Sequence, residues 1–480
     1  MDRKIIDIGL SFDNTYLKLD NKLYSKILPT IPKEPKLVIY NEDLGEYLGI
    51  RKIEELAEVF GGKYLPLGTE PIALAYGGHQ FGYFNILGDG RANLLGEFIN
   101  NNEKYDLQLK GSGQTAYSRR GDGKGTLYSM LREYLISEAM NSLGIKTTRT
   151  LSVVSTGEMV LREKPYKGGI LTRIASSHIR IGTFEFVSFQ DDKALLKDFT
   201  DYTINRHFPN LNNMTDKYIE FLKEVCQNQI NLVINWIRVG FIHGVMNTDN
   251  TSISGETIDF GPCAFINAYN PQKVYSSIDT FGRYAFGNQG KVIVWNLVKF
   301  AQSLLPLIHD NEEKAVELAQ EIINQSSKSF EEGYFVMLGK KLGLEKLIEG
   351  DKELIEEFLN ILFINKLDYT NSFLNLMKAL EFDESFVEIS IRMDWYKKWL
   401  KRIGNQPKAT ILKLMKENNP KVIPRNHIVE KVLNEASEGK LENFLKVLDV
   451  LKKPYEENLS YEALSYPPDN EENYKTYCGT

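Results

Sequence analysis

The stretch that most limits what this 480-residue chain can fold into lies at its middle: His243-Gly244-Val245-Met246-Asn247-Thr248-Asp249-Asn250, then Asp259-Phe260-Gly261. Apolar periodicity predicts a long helix over residues 216–239 that delivers the chain to this loop. Asn250 and Asp259 are nine residues apart. Side-chain oxygens of this kind suit Mg2+ or Mn2+, which keep several waters and take phosphate oxygens for the remaining positions. Around the loop the composition changes near residue 280. Before it glycine is frequent and short β-type runs dominate. Residues 94–99 and 105–110 read as neighbouring strands across the polar turn Asn100-Asn101-Asn102-Glu103. Residues 149–154 and 158–162 read as a hairpin about Ser155-Thr156-Gly157, with a further strand over 169–174. Leu127, Met130, Leu131, Tyr134 and Leu135 recur at helical spacing and predict a helix over 126–143, ended by Gly144. Beyond residue 290 nearly everything is helical by pattern, and residues 454–480 read as an extended polar tail.

Laid over the protein-kinase catalytic loop, H-R-D-L-x-x-x-N followed by D-F-G, the central stretch keeps the His, the final Asn and the metal-binding Asp. Val245 falls where a kinase carries its catalytic Asp, and a valine has no lone pair to accept a proton from a substrate hydroxyl. The upstream order agrees. Lys110 closes a predicted strand and Glu133 follows on the next helix, as the strand lysine and helix glutamate do in kinases. An ion pair there would hold the ammonium toward phosphate oxygens. The pattern predicts an α+β, protein-kinase-like two-lobed fold with an extended helical C-terminal region. Residues 1–175 would form a β-rich nucleotide-binding region and 176–290 a catalytic and metal-binding region. Residues 291–453 would be helical, and 454–480 a tail carrying Cys478.

Other candidates are weaker singly. Gly88-Asp89-Gly90, with Arg91 after it, lets backbone approach a phosphate and adds a bidentate charge, but alone it reads sooner as a plain Asp-Gly hairpin turn. Asp122 and Gly123 lie in a loop whose glycines and basic residues suit a phosphate-covering flap or an ordinary surface loop. Arg173 and Arg180 flank Ser176-Ser177-His178 and could clamp a polyphosphate or simply be solvated; His178 reads as structural.

Together the segments Gly77-Gly78-His79-Gln80-Phe81-Gly82, Leu87-Gly88-Asp89-Gly90-Arg91, Lys110-Gly111-Ser112-Gly113, Arg132-Glu133-Tyr134-Leu135, Thr147-Thr148-Arg149 and the His243–Asn250 loop resemble the selenoprotein O (YdiU) family. The likeness runs over residues 35–275. It implies a kinase-like fold and transfer of AMP from ATP to protein Ser, Thr or Tyr hydroxyls, with UMP transfer also attributed to the family. Carried over by position, nucleotide contacts fall on Gly88, Gly90, Arg91, Lys110, Asp122, Gly123, Arg173, Arg180 and Asp259. Metal ligands for Mg2+ or Mn2+ fall on Asn250 and Asp259, and the proton acceptor on Asp249. Lys124 departs from the family's arginine, and a lysine cannot supply a bidentate contact. With Lys110, Arg173 and Arg180 on the β- and γ-phosphates, the α-phosphate would face the acceptor and pyrophosphate would leave.

The net charge of −6 argues against nucleic-acid partners. The acidic start, Met1 to Asp7, has no signal-peptide stretch, and no run approaches the roughly 18 apolar residues of a membrane span. Three cysteines fit a reducing compartment, so a soluble cytoplasmic protein is expected. Cys263, four residues after Asp259, and Cys478 admit two readings: a redox link pinning the tail across the site, or one buried and one exposed thiol. Two other functions stay open: a kinase with a displaced base, and a non-catalytic ATP-binding pseudokinase. Val245 speaks against the first, and Lys110, Glu133, Asn250 and Asp259 against the second.

Overall fold

The computed structural model describes residues 3–456, 462–471 and 474–477. Its N-terminal part is built on one nine-stranded sheet. In chain order the first strands are β1 (Ile5–Ile6), β2 (Tyr24–Lys26), β3 (Lys36–Tyr40) and β4 (Leu65–Pro66); β1 and β4 pair apart from the main sheet. Then come β5 (Ile72–Gln80), β6 (Tyr83–Gly88), β7 (Ala92–Asn100) and β8 (Glu103–Lys110). The short β9 (Gly125–Thr126) precedes the long β10 (Arg149–Leu161) and β11 (Pro165–Ala175). The order across the sheet is β2-β5-β7-β8-β11-β10-β3, with β6 on β5 and β9 on β11.

The expected strand pair is present as β7 and β8, joined through Asn101 and Asn102, both at positive φ, and paired from Asn100↔Glu103 to Ala92↔Lys110. The expected hairpin about Ser155-Thr156-Gly157 is not there. β10 runs through those residues with a register shift between Ser155 and Met159, and the chain reverses instead at residues 162–164. Gly157, at φ 72°, lies in a bulge where residues 156–158 of β10 oppose Gly168 alone, rather than in a turn. Turn chemistry and bulge chemistry use the same residues.

Helices α1 (Glu42–Leu48) and α2 (Leu56–Phe60) pack with the outer sheet, and α3 (Leu127–Ser142) crosses its inner face. Thr126 caps α3 by accepting from the Ser129 N–H at 3.2 Å, and Gly144 closes it at φ 76°. α3 is buried on nearly every side, charged residues included, so Arg132, Glu133 and Glu138 must find partners inside the protein. Glu138 takes a two-pronged contact from Arg149 at 2.7 and 2.6 Å.

α4 (Ile181–Phe189), α5 (Lys193–His207) and α6 (Lys217–Arg238) follow. β12 (Phe241–Ile242) and β13 (Ala264–Phe265) then pair with each other and close the base of the loop between them. α7 (Gln289–Ile308) buries Val292, Ile293, Leu297, Phe300 and Leu304. The Phe300 ring meets Phe184 at 5.1 Å and Phe221 at 5.5 Å. By length and hydropathy alone residues 286–308 reach membrane-spanning size, against expectation; half of that stretch is buried among neighbouring helices. α8 (Glu312–Lys341) and further helices up to Glu442–Leu451 complete an α+β protein with a helical C-terminal half. The tail is not loose where it is described: Leu464 is fully buried, and Ser276 bridges to Thr476.

Candidate active site

Lys110, the last residue of β8, turns inward and donates to Glu133 of α3 at 2.7 Å and also to Asp259. Arg173, on β11, donates through Nε to Glu133 at 3.0 Å and reaches Asp259 at 3.2 Å. Adjacent strands, one crossing helix and the loop between β12 and β13 therefore deliver two cations and two carboxylates to a single point. Burial alone would push both carboxyls upward. For Glu133 the charges of Arg173 and Lys110 outweigh it and hold the group below the ordinary range. For Asp259, Lys110, Arg173 and Arg91 together drive it well below. Both are ionised at neutral pH.

Arg180, at the N-terminal end of α4, lies 4.3 Å over the Tyr76 ring and 3.5 Å from Asp89. Asp89 sits between the two glycines of the β6–β7 turn but points inward, accepting from Gln108 Nε2 at 3.1 Å. Asp89, held by Gln108, and Tyr76 thus seat the arginine, a role that sequence spacing did not mark for any of the three. His178 is structural as expected, bonded to Asp106 at 2.8 Å and fully buried.

The turn Gly88–Gly90 is roofed by the loop after β8. Thr115 Oγ1 donates to Asp89 O at 2.6 Å, and a Cβ on Gly88 would stand 2.2 Å from the Tyr117 ring. Asp122 pairs with Arg162 at 3.0 Å and Gly123 packs on Gly113, so their contacts lie within this flap and the β10–β11 turn. Arg91 lies close enough for its charge to help hold the Asp259 carboxyl below the ordinary range. The structure gathers Lys110, Glu133, Arg173 and Asp259 directly, sets Arg180 and the glycine turn beside them, and holds Asp122 and Gly123 on the flap.

His243 anchors the central loop, sharing Nε2 with the Ile258 carbonyl at 2.8 Å and packing on Trp236. Val245 is buried at 5% exposure, so the missing kinase carboxylate is replaced by core. Asn250 donates from its amide nitrogen to Val245 O at 3.0 Å, which turns its oxygen to be the acceptor end. Asp259 takes φ 69° and leaves its side chain one-third exposed. One amide oxygen and one ionised carboxylate fit a hard divalent cation that completes its shell with water and phosphate. Among the described residues no cluster of three or more His, Cys, Asp or Glu forms an all-protein metal cage.

Asp249 is the residue the structure treats most unusually. Oδ2 accepts from Gln80 Nε2 at 3.4 Å, while Oδ1 is shut from solvent with no hydrogen-bond partner among the described residues. Burial dominates and lifts its carboxyl to about 7, against the opposing pull of Arg180. The segment Gly78–Phe81 is zipped along this loop. His79 N donates to Thr248 Oγ1 at 2.6 Å, and Phe81 N donates to Asn247 Oδ1 at 3.2 Å. Glu185 joins His79 to Thr248 from α4. A Cβ on Gly78 would stand 2.7 Å from Asp249 Oδ1, so only glycine lets the strand lie this close. The sequence marked the Gly77–Gly82 segment but not these contacts.

Cys263 is fully buried with Sγ donating to Phe260 O at 3.1 Å. Cys478 lies outside the described residues.

Phosphate-seeking cations gathered at a glycine turn, with oxygen donors for a divalent cation, suit nucleotide chemistry, and similarity to known proteins fixes the class as nucleotidyltransferase. The chain is 48% identical over 482 residues to Protein nucleotidyltransferase YdiU of Anoxybacillus flavithermus, covering 98% of this chain and 99% of that one. It is 47% identical over 488 residues to the protein of the same name from Nitrosococcus oceani, covering 99% and 98%. A family model described as Protein adenylyltransferase SelO matches residues 7–452. The chain belongs to the SelO family.

Proposed function

We propose that this nucleotidyltransferase has a kinase-like two-lobed fold and moves AMP from ATP onto Ser, Thr or Tyr hydroxyls of proteins. The observation that carries the reading is the division of charge across the cleft. Lys110, Arg173 and Arg180 are each at most 5% exposed, whereas Asp249, a carboxyl that burial lifts to about 7, lies four residues past the valine at the kinase base position. Cations placed that deep suit the β- and γ-phosphates, leaving the α-phosphate toward Asp249. The acceptor oxygen then attacks the α-phosphorus, its proton passes to Asp249, and the bond to the bridging oxygen breaks to release pyrophosphate. Asn250 and Asp259 would hold Mg2+ or Mn2+, whose charge, when bound, offsets that gathering on the phosphates. Lys110 and Arg173 take up charge on the leaving pyrophosphate, and Glu133 keeps both aimed.

ATP labelled at the α- or the γ-phosphate tests this. Protein labelled only from α is the expected result. Label only from γ would make the chain a phosphotransferase with a displaced base, and no label an ATP-binding scaffold. Chelation by EDTA should abolish labelling, and added Mg2+ or Mn2+ restore it. The same assay with α-labelled UTP reads any UMP transfer.

A further inference from the structure

Two turns that meet at the Phe81 and Tyr284 rings, 5.2 Å apart and next to the loop carrying Asp249, present apolar side chains to solvent that neither the fold nor the nucleotide chemistry uses. Phe281 is 98% exposed, Ile278 48% and Tyr83 78%. An exposed phenylalanine often marks a floppy loop, but this loop is tied down. Buried Asp279 accepts from the backbone N–H groups of Arg283 at 2.9 Å and Tyr284 at 2.8 Å. Tyr284 OH donates to Asn247 Oδ1 at 2.5 Å, two residues before Asp249, and the same oxygen accepts from Phe81 N. The Phe281 loop and the β5–β6 turn bearing Tyr83 are thus both fastened to the residue that aims the acceptor carboxylate's loop. Two cations border the patch. Arg283 lies 4.6 Å over the Trp295 ring and Lys299 5.2 Å over it, and the Lys299 charge also bears on the buried Glu185 carboxylate. The carboxylates near them, Asp279 and Glu185, are buried, so in a chain of net charge −6 these cations beside exposed aromatic surface favour an acidic visitor.

We propose that Ile278, Phe281, Tyr83, Arg283 and Lys299 form the acceptor-docking surface, which selects protein segments placing an aromatic side chain and acidic residues near the hydroxyl to be modified. This rests on the AMP-transfer reading and names its acceptor class. The aromatic residue would pack on Phe281, and the carboxylates would meet Arg283 and Lys299.

The probes are two serine-containing peptides, one with an aromatic and two acidic residues, the other with lysines in place of the acids. Transfer of label from α-labelled ATP is measured for the full chain, and pyrophosphate release without peptide is followed in parallel. The acidic peptide should have a KM about tenfold lower than the lysine peptide. Phe281→Ala should raise its KM about tenfold with kcat retained, and Lys299→Glu should reverse the charge preference. Equal KM values for the two peptides, or an unchanged KM in F281A, would overturn the docking surface alone. A fall of kcat and peptide-independent pyrophosphate release together in F281A would also overturn it, marking a structural role. Absence of α-label transfer in the wild type would instead overturn the reading on which it rests.

Discussion

Asp249 must be ionised to take a proton, yet its surroundings favour the acid. One oxygen is held by Gln80 and the other is sealed without a partner. Asp249→Asn should therefore lower kcat by about 10²–10⁴ while leaving ATP affinity within about twofold, read by α-label incorporation and calorimetry. Because burial lifts the carboxyl to about 7, the rate should climb with pH and level off above that value. Gln80→Leu removes a donor that favours the charged form, so the midpoint should move upward. A profile flat between about pH 6 and 8, or an unmoved midpoint, counts against Asp249 as the acceptor. Glu133 behaves oppositely. It is buried between Lys110 and Arg173, and deleting its charge leaves two buried cations with Asp259 as their one shared carboxylate among the described residues. Glu133→Gln should cost about 3 kcal/mol or more in urea unfolding. The wild-type carboxyl titrates lower folded than unfolded, so its stabilisation is present above the ordinary carboxylate range and fades on acidification. The gap between wild type and variant should close as pH falls below about 4.

The β5–β6 hairpin is the element in which sequence and structure are hardest to connect. Its turn, Phe81-Gly82, has both residues at positive φ, matching the tight hairpin whose twist suits its strands. Yet Gly77 and Gly78 weaken the strand pattern, and the hairpin's partners on the 247–249 loop are far away in sequence. The β7–β8 pair was legible because its alternation and turn are local. Lys110 and Glu133 were legible because a strand end and a helix face fix where each points. Asp89 and Gln108 were not, since an inward polar residue looks like an outward one until its partner is known. The Ser155–Gly157 bulge was read as a turn for a related reason: only the β11 register separates the two. The hairpin also yields a sharp test. Gly78→Ala would place a methyl 2.7 Å from Asp249 Oδ1, and the nearest atoms that must give way all belong to the reacting side chain. Transfer activity should fall at least about tenfold while unfolding stability changes by less than about 2 kcal/mol. Equal losses in both would mean the glycines serve packing and not the loop.

At the scale of the molecule, the chain's end closes over the segment that carries Asp259. Thr476 Oγ1 donates to Pro262 O at 2.6 Å, its N–H donates to Tyr275 O at 2.8 Å, and its carbonyl accepts from Ser277 N at 2.9 Å. Tyr474 meets the Tyr275 ring edge-on at 5.7 Å, and Tyr275 OH donates to Glu471 at 2.7 Å. Composition suggested a loose tail because polar and charged residues dominate it. A few anchors suffice, since each removes apolar surface or completes a backbone bond that water would otherwise satisfy. The segment pinned in this way also contains Cys263, whose burial pushes its thiol up to about 12, leaving almost no thiolate to react at neutral pH. Among the described residues, a chain ending at Glu456 keeps every α-helix of the C-terminal half but loses the 3-10 turn Glu462–Ser465 and all of these anchors. It should melt about 5 °C or more below the full chain. Backbone amides around residues 259–277 should exchange faster, and Cys263 should become open to alkylation under conditions where the full chain resists it. If the shortened chain keeps its melting temperature and its slow exchange, the loop bearing Asp259 is held from within by Arg132 and the β12–β13 pair, and the tail merely lies on it.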